Sequence, residues 1–328
     1  RFRFNLAELS GSLGDLGTFL PLTMAMALAC GLDYGNILIA AGVATLLTGW
    51  FFRQPIAVQP MKAIAAIAIA EGLGRDELVA SGIMMAVIVL VLTFTGVVDQ
   101  LTKRIPRAIV RGIQLGVGAK LALKGVFWLL ALPVAGADSL LVAVFAGAVL
   151  VALLWARKPA ALVVIGGGFG LLLLSNPGAL AEFRVGLPTV AFSWPGASAW
   201  PSAFMRAVLP QLPLTLLNSV VAVCALSEAY FPGRGIAPRR MAGGVGLING
   251  ISAAFGGIPM CHGSGGLAAQ YRFGARTGGS LLMLGTAKLL LGLFFGGAIA
   301  GLLATYPVAI LGVMIIFSGV ELGRVAGG

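Results

Sequence analysis

Long apolar stretches separated by short polar connections make up almost all of this 328-residue chain. Most of them reach the roughly 17–25 residues that a membrane-spanning helix needs. They predict twelve membrane segments, at 6–31, 36–52, 58–71, 78–98, 106–132, 139–155, 160–175, 203–228, 241–256, 261–271, 279–300 and 307–322. The pattern therefore indicates an all-α, polytopic membrane protein.

The third and the tenth segments are too short for a helix that crosses the bilayer, and proline and glycine interrupt them. Residues 54–66 read QPIAVQPMKAIAA and residues 256–269 read GGIPMCHGSGGLAA, so each has a Pro-Met pair followed by polar and small residues. Irregular backbone at membrane depth is tolerated only where it is buried in protein or lines a cavity. We therefore predict that each break is a short extended piece leading into a half-helix. Paired breaks of this kind indicate the binding site of a transporter.

The composition leaves no room for a separate soluble domain. Only 10% of the residues are charged and 59% are hydrophobic, whereas a soluble domain is about 25% charged. The net charge of +11 would suggest a nucleic-acid partner in a soluble protein. In a membrane protein, basic cytoplasmic loops explain the same excess. We expect the lipid bilayer, and no nucleic acid, as the partner.

The basic residues are distributed unevenly between the two sides of the predicted membrane. With the N-terminus in the cytoplasm, the outer connections carry only Arg75, Arg184 and Arg206. The cytoplasmic connections carry Arg53, Lys103, Arg104, Arg107, Arg111, Arg157, Lys158, Arg234, Arg239, Arg240, Arg272, Arg276 and Arg324. This asymmetry follows the positive-inside rule only if both short segments cross the membrane. It predicts a cytoplasmic N-terminus, and we expect the membrane to be a bacterial inner membrane.

The longest polar interval, residues 176–202, divides the chain into two structural halves. It is rich in proline, glycine and tryptophan and follows the seventh segment, so we place this connection on the periplasmic or extracellular side. The first half, 1–175, contains seven segments, whereas the second, 203–328, shows only five. We expect that the last two segments of the second half are missing from this sequence.

The two half-helix N-termini carry hydrogen-bond donors but no carboxylate. A helix N-terminus presents unsatisfied N–H groups and the positive end of the helix dipole, which favours an anion. Cation sites are rich in carboxylates instead. Two opposed N-termini therefore predict a cage for a tetrahedral oxyanion. The residues that we expect to form it are Gln59, Lys62 and Ala63 in the third segment and His262, Gly263, Ser264 and Gly265 in the tenth.

Three charged or titratable residues also have a structural interpretation, which the sequence leaves open. Lys62 either attracts the anion or only forms a buried ion pair with Asp15 or Glu71. His262, the single histidine, is a ligand, a pH-sensitive group or a structural hydrogen-bonding residue. Asp15 lies inside the first segment, where a carboxylate costs about 2.5–3.5 kcal/mol on insertion. It is either a proton carrier that faces a cavity or a local helix cap.

The eighth segment carries polar side chains on one helical face amid apolar sequence. They are Gln211, Thr215, Asn218 and Ser219. These side chains either line a cavity or form hydrogen bonds between helices. The nearby prolines, Pro210 and Pro213, favour the cavity.

Blocks 8–21 (ELSGSLGDLGTFLP), 59–66 (QPMKAIAA) and 256–274 (GGIPMCHGSGGLAAQYRFG) resemble signature blocks of the molybdate transporter family, which is related to the sulfate permeases. Residues 107–118 and 307–323 are also similar to that family, so the resemblance covers almost the whole chain. It implies the seven-plus-seven inverted-repeat fold shared with uracil and sulfate permeases. It assigns 1–98 and 203–300 to a core domain, and 106–175 and 307–328 to a gate domain whose second part is incomplete.

The resemblance implies a secondary transporter that imports molybdate by alternating access. Its oxyanion site would lie between the third and tenth segments, with Thr18, Gln211 and Asn218 nearby. Asp15 is the candidate for proton coupling. The relationship also implies a homodimer, and we expect no cofactor and no metal.

Other functions remain open at this point. A carrier of sulfate or of another tetrahedral oxyanion would have the same architecture, because sulfate and molybdate differ chiefly in size. A channel is disfavoured by the paired breaks. An intramembrane enzyme that uses His262 with Asp15 or Glu8 is disfavoured because the sequence has no metal-ligand cluster and no nucleophile–base pair at local spacing.

Overall fold

The computed structural model describes residues 2–156, 158–180, 186 and 194–327. Arg157, Glu182 and Arg184, which contribute to the predicted charge asymmetry, lie outside these residues. The first half contains α1 (Leu6–Leu13), α2 (Leu16–Cys30), α3 (Tyr34–Phe52), β1 (Val58–Pro60), α4 (Lys62–Glu71), α5 (Arg75–Thr95), α6 (Val98–Arg104), α7 (Arg107–Leu130), α8 (Leu140–Trp155), α9 (Ala160–Ser175) and a 3₁₀ turn (Pro177–Leu180). The second half contains α10 (Ala199–Tyr230), α11 (Pro238–Ala254), β2 (Met260–His262), α12 (Ser264–Arg272), α13 (Gly279–Ala304) and α14 (Val308–Gly327).

The first predicted segment is two helices instead of one. Helices α1 and α2 are bent by 41° relative to each other, and the break lies at Gly14 and Asp15. Gly14 packs so closely on the backbone of α12 that an added Cβ would lie 2.9 Å from the carbonyl carbon of Ala269. The bend therefore brings the Asp15 side chain beside the second chain break.

Helix lengths agree with a membrane protein. Within the described ranges, five helices are long and apolar enough to cross a bilayer, or six if α1 and α2 are counted as one bent span. Helices α8 and α9 are apolar but have 16 residues each. The short helix α6 lies between the fourth and fifth predicted segments and has no counterpart among the predicted elements.

Small residues allow the longest helices to pack closely. A Cβ added at Gly42 would lie 2.7 Å from the backbone nitrogen of Leu289, and one at Gly125 would lie 2.8 Å from the carbonyl oxygen of Gly312. Such contacts between backbones are the usual basis of helix association in lipid. The glycines recur every seventh residue, as Gly35, Gly42 and Gly49 of α3, Gly278, Gly285 and Gly292 at α13, Gly118 and Gly125 of α7, and Gly312 and Gly319 of α14.

Helix α10 has two π-helical stretches, Phe204–Val208 and Thr215–Ala222. They flank Pro210 and Pro213, which lack an N–H and clash with the carbonyl one turn earlier. A widened turn relieves this clash and is frequent at functional sites. The polar face of α10 lies towards the two chain breaks, where Gln211 contacts α4 and Asn218 contacts Ser264.

Each chain break is a three-residue strand followed by a short helix. The strands β1 and β2 pair with each other in antiparallel fashion, with Val58 opposite His262, Gln59 opposite Cys261 and Pro60 opposite Met260. All six strand residues are buried. This two-stranded ladder satisfies backbone groups that would otherwise be unpaired inside the membrane, and it fixes the start of α4 beside the start of α12.

Candidate functional site

The two faces of the β1–β2 ladder have different surroundings. Side chains alternate between faces along a strand, so Gln59 and Cys261 lie on one face and Val58 and His262 on the other. The Gln59 face is turned to Asp15 and to the start of α12. The His262 face is turned to α3 and α11.

Helix α4 begins with its N-terminal N–H groups already occupied. The Gln211 side-chain oxygen Oε1 lies 2.9 Å from the backbone nitrogen of Ala63 and 3.4 Å from that of Ile64, and both N–H groups donate to it. Gln211 is buried and its Nε2 donates to Thr215 Oγ1 at 3.0 Å. Gln211 therefore acts as a cap on α4, supplied by a helix almost 150 residues away.

Helix α12 begins differently. Ser264 Oγ donates to Asn218 Oδ1 at 3.0 Å, so this hydrogen bond from α10 reaches a side chain of the helix and not its backbone. The first backbone N–H groups, of Ser264, Gly265 and Gly266, have no acceptor among the described residues. Gly265 is exposed, and a Cβ added there would meet no atom within 4 Å. The start of α12 is thus an open set of donors at the positive end of a helix.

A cavity of about 420 Å³ reaches this open helix end. Its lining includes half-buried Thr18 and Lys62, and exposed Gly265, Lys158 and Arg272. The other lining residues are Leu13, Gly14, Gly17, Leu22, Leu121, Leu154, Pro159, Ala160, Ala161, Leu162, Ala269, Phe273, Phe317, Ser318, Glu321 and Leu322. Three cationic side chains and one carboxylate line the cavity, which therefore favours an anion.

A buried carboxylate lies directly behind the open helix end. Gln59 Nε2 donates to Asp15 Oδ1 at 2.6 Å, while Asp15 Oδ2 and Gln59 Oε1 have no partner in the described part of the chain. Glycines provide the space: a Cβ at Gly266 would lie 2.8 Å from Asp15 Oδ1, and one at Gly263 would overlap Gln59 Oε1. The first and third predicted segments therefore meet at the tenth.

A second buried charge, Lys288 of α13, accompanies Asp15. Lys288 is 3% exposed, its Nζ lies 3.6 Å from the centroid of the Phe19 ring, and it has no hydrogen-bond partner among the described residues. Asp15 interacts electrostatically with Lys288 and also with Lys62. The sequence predicts that Lys288 either extends to the membrane surface or forms a pair, without contact to the substrate. It does not identify Asp15 as the neighbouring carboxylate.

The structure separates His262 from the other predicted site residues. The imidazole is fully buried, packs edge-on against the Phe52 ring at 5.5 Å between centroids, and has its Nδ1 3.4 Å from the carbonyl oxygen of Ala57. Its Nε2 lies near Gly244 of α11, where an added Cβ would be 3.1 Å away. His262 therefore lies behind the ladder, on the face opposite Gln59.

The far end of α4 is held by ion pairs instead of opening into a cavity. Glu71 accepts from Lys120 of α7 at 2.6 Å and from Arg206 of α10 at 2.9 Å. Arg206 also contacts Glu77 of α5 at 3.1 Å, and Ser202 donates to the same carboxylate. Charged side chains thus tie the C-terminal end of α4 to α7 and, through Arg206, to α10 and α5.

Comparison with known proteins agrees with this arrangement. The family model described as "Molybdate transporter of MFS superfamily" matches residues 7–121 and 203–322, which include both chain breaks. Molybdate transporter 1 of Arabidopsis thaliana is 36% identical over 99% of this chain and 80% of its own length. Molybdate transporter 1 of Chlamydomonas reinhardtii is 33% identical over 97% of this chain and 83% of its own length.

Solved structures show the same fold at low sequence identity. The transmembrane domain of the cyanobacterial bicarbonate transporter BicA superposes with a TM-score of 0.70 at 17% identity, covering 98% of this chain and 90% of that domain. The murine solute carrier 26 family member A9 anion transporter superposes with a TM-score of 0.68 at 17% identity, covering 95% of this chain and 59% of its own. The predicted seven-plus-seven inverted-repeat fold and the predicted family are both confirmed. The chain is an integral membrane protein that belongs to the molybdate transporter family, a family of transporters and not of enzymes.

Proposed function

We propose that this protein is a secondary active transporter that imports molybdate by alternating access. Its family supports an anion as the transported substrate, and the identity of the relatives supports molybdate. The observation that carries the proposal is the cavity of about 420 Å³ that ends at the uncapped N-terminus of α12, with Lys62 and Thr18 beside it.

The oxyanion binds at the start of α12. Backbone N–H groups of Ser264, Gly265 and Gly266 donate to its oxygens, and the Lys62 ammonium group supplies a full positive charge. Charge-assisted hydrogen bonds of this kind are stronger than neutral ones. The Thr18 hydroxyl lines the same space, and Asn218 orients the Ser264 side chain.

The start of α4 joins the site when Gln211 moves. In the present conformation the Gln211 oxygen accepts from Ala63 and Ile64 at the place that an oxyanion oxygen would take. A rotation of the Gln211 side chain exposes these two N–H groups, and the oxyanion is then held between two helix N-termini. Gln59 lies between them and keeps one side-chain oxygen without a partner.

Proton coupling follows from the charges around Asp15. Ionised Asp15 and protonated Lys288 together carry no net charge, and Lys62 alone faces a dianion with one positive charge. When Asp15 takes up a proton, Lys288 and Lys62 together carry two positive charges, which matches a dianion. Protonation of Asp15 therefore favours binding of the oxyanion, and the proton and the oxyanion move together.

Alternating access requires that the two ends of the cavity open in turn. We infer that the ion pair between Lys120 of α7 and Glu71 of α4 closes one end, and that the cavity opens at the exposed Lys158 and Arg272. If α7 belongs to a gate and α4 to a core, a movement of the core breaks this pair and closes the opposite end. The division into halves at 176–202 and into core and gate stays a prediction.

Placement in the cell also belongs to the proposal. The charge asymmetry favours a cytoplasmic N-terminus, which makes the open end of the cavity the cytoplasmic one. The curated relatives come from a plant and an alga, so the bacterial inner membrane stays a prediction, as does a homodimer.

The test is uptake of radiolabelled molybdate into proteoliposomes, with and without an inwardly directed proton gradient. We expect saturable uptake that the gradient accelerates. Competition by tungstate and by sulfate measures how strictly the site discriminates between oxyanions of different size. Absence of saturable molybdate uptake would refute the substrate, and saturable sulfate uptake in its place would identify the carrier as a sulfate transporter of the same fold.

A further inference from the structure

We propose that a second anion site, which takes a phosphate group, lies at the end of the helix bundle beside the loop that follows α12. A cavity of about 570 Å³ is lined there by Arg3, Tyr230, Phe231, Arg234, Arg276 and Thr277. It shares no lining residue with the cavity at α12. No acidic side chain of the described residues lines it. The inference is independent of the transport proposal.

The three arginines differ in how firmly they are held. Arg276 Nη1 donates to the carbonyl oxygens of Ala275, at 2.8 Å, and of Tyr271, and its guanidinium carbon lies 3.7 Å from the centroid of the Tyr271 ring. Tyr271 in turn stacks on Tyr230 at 4.2 Å. The guanidinium groups of Arg3 and Arg234 form no ion pair with a carboxylate among the described residues and are exposed.

The nearby carboxylates are already used by backbone N–H groups. Glu8 accepts from the backbone nitrogens of Arg276, at 3.1 Å, and Thr277, at 3.4 Å. Glu228 accepts from those of Gly233, at 3.0 Å, and Gly235, at 2.9 Å. Neither carboxylate forms an ion pair with these arginines among the described residues, and neither lines the cavity, so the three arginines give its lining an excess of positive charge.

The donors in the cavity match a phosphate group. Arginine binds phosphate through two parallel N–H donors, and several arginines around one cavity are typical of phosphate recognition. Thr277 Oγ accepts from the backbone nitrogens of Arg3, at 3.2 Å, and Gly279, at 3.1 Å, so its hydroxyl proton is free to be donated to a ligand.

The surroundings of Arg3 indicate that a lipid headgroup supplies the phosphate. Phe2 stacks on Trp50 with 5.7 Å between ring centroids. Phe4 and Trp50 are 63% and 64% exposed. Exposed aromatic side chains at the end of a transmembrane bundle are typical of the level of the lipid headgroups. Free inorganic phosphate has the same chemistry and is the other source to be distinguished.

The experiment uses the full chain in nanodiscs of phosphatidylcholine and measures the midpoint of thermal unfolding. In one arm, an anionic phospholipid replaces part of the phosphatidylcholine; in the other, inorganic phosphate is added in solution. We expect the anionic lipid to raise the midpoint. A rise with inorganic phosphate alone would assign the site to soluble phosphate and would equally support the proposal.

Variants decide whether this cavity is responsible. We expect Arg3→Gln and Arg234→Gln each to weaken the apparent affinity about tenfold, as loss of one charge-assisted hydrogen bond implies. Arg234→Lys keeps the charge, and we expect an intermediate effect. Arg240→Gln is the matched control, since Arg240 packs on the Phe51 ring at 5.3 Å outside the cavity. No stabilisation in either arm, or equal losses in Arg240→Gln, would overturn the proposal.

Discussion

The short helices α4 and α12 both follow a strand of the same ladder, yet their N-termini are capped differently. At α4, Gln211 accepts from two backbone N–H groups and seals the helix end. At α12, the corresponding groups have no acceptor among the described residues, and the adjacent Gly265 opens into the cavity. Two elements with related sequences therefore have one N-terminus that is capped by a side chain and one that is open.

Helix α10 produces this difference. Gln211 and Asn218 are seven residues apart, which is about two helical turns, and they lie on the same side of α10. One reaches the backbone of α4, and the other reaches only the side chain of Ser264. One helix therefore contacts the starts of both short helices, but in different ways.

The largest effect is expected from filling the open end. In Gly265→Val, the new side chain enters empty space at the first turn of α12, so folding is preserved while the donors are covered. We expect molybdate uptake to fall more than about tenfold, since each lost charge-assisted hydrogen bond is worth about that factor. Uptake in proteoliposomes and the thermal unfolding midpoint measure the two effects.

Gly147→Val in α8 is the matched control for this variant. A Cβ at Gly147 also meets nothing within 4 Å, and Gly147 does not line the cavity at α12. We expect normal uptake from this control. Normal uptake by Gly265→Val would show that the start of α12 does not hold the substrate.

The next largest effect is expected at the N-terminus of α4, which Gln211 caps. Gln211→Glu keeps an acceptor for the N–H groups of Ala63 and Ile64 but places a negative charge where the second end of the cage would be. We expect the Michaelis constant for molybdate to rise about tenfold through repulsion of the dianion. Gln211→Leu removes the acceptor without adding charge, and we expect a smaller rise with lower thermal stability. If both variants transport like the wild type, the oxyanion is held by α12 alone.

A third substitution tests whether Asp15, beside the open N-terminus of α12, couples uptake to protons. Asn at position 15 carries no charge at any pH, so Asp15→Asn imitates the protonated state. We expect molybdate uptake to continue, but its acceleration by an inward proton gradient to be lost, because the amide cannot take up and release the coupled proton. Initial rates at several external pH values measure this change, and an unaltered acceleration would exclude Asp15 as the coupling group.

Hydropathy and residue spacing predicted most of the fold. The twelve segments, the paired breaks and the family follow from apolar run lengths, glycine and proline positions and short motifs. The hydropathy pattern does not reveal the bend at Gly14, because both flanking helices are apolar. Gly14 packs at the bend against Ala269, which lies far along the chain. The sequence does not reveal the burial of Lys288 either. A lysine in an apolar run has the same local pattern whether it reaches solvent or faces a carboxylate on another helix.

The partners within the candidate site depend on contacts that sequence spacing does not give. Gln211 as a cap of α4 joins residues 148 positions apart. The face on which a strand residue lies depends on register, and a shift by one residue turns every side chain to the other face. The sequence predicts His262 as part of the cage because it adjoins Gly263, whereas the observed register places it opposite Val58 and away from Gln59.

The smallest effect is therefore expected at the only histidine. His262→Gln keeps a polar side chain near the Ala57 carbonyl oxygen, and the ring it removes packs on Phe52 behind the ladder. We expect molybdate uptake within about twofold of the wild type, with a loss of stability of about 1 kcal/mol from the weakened buried contact. Gln59→Leu, a substitution on the opposite face of the same ladder, should reduce uptake severely. Equal losses in both variants would mean that the ladder as a whole, and not its Gln59 face, determines binding; a selective loss at Gln59 would place the substrate on the side of Asp15 and the open N-terminus of α12.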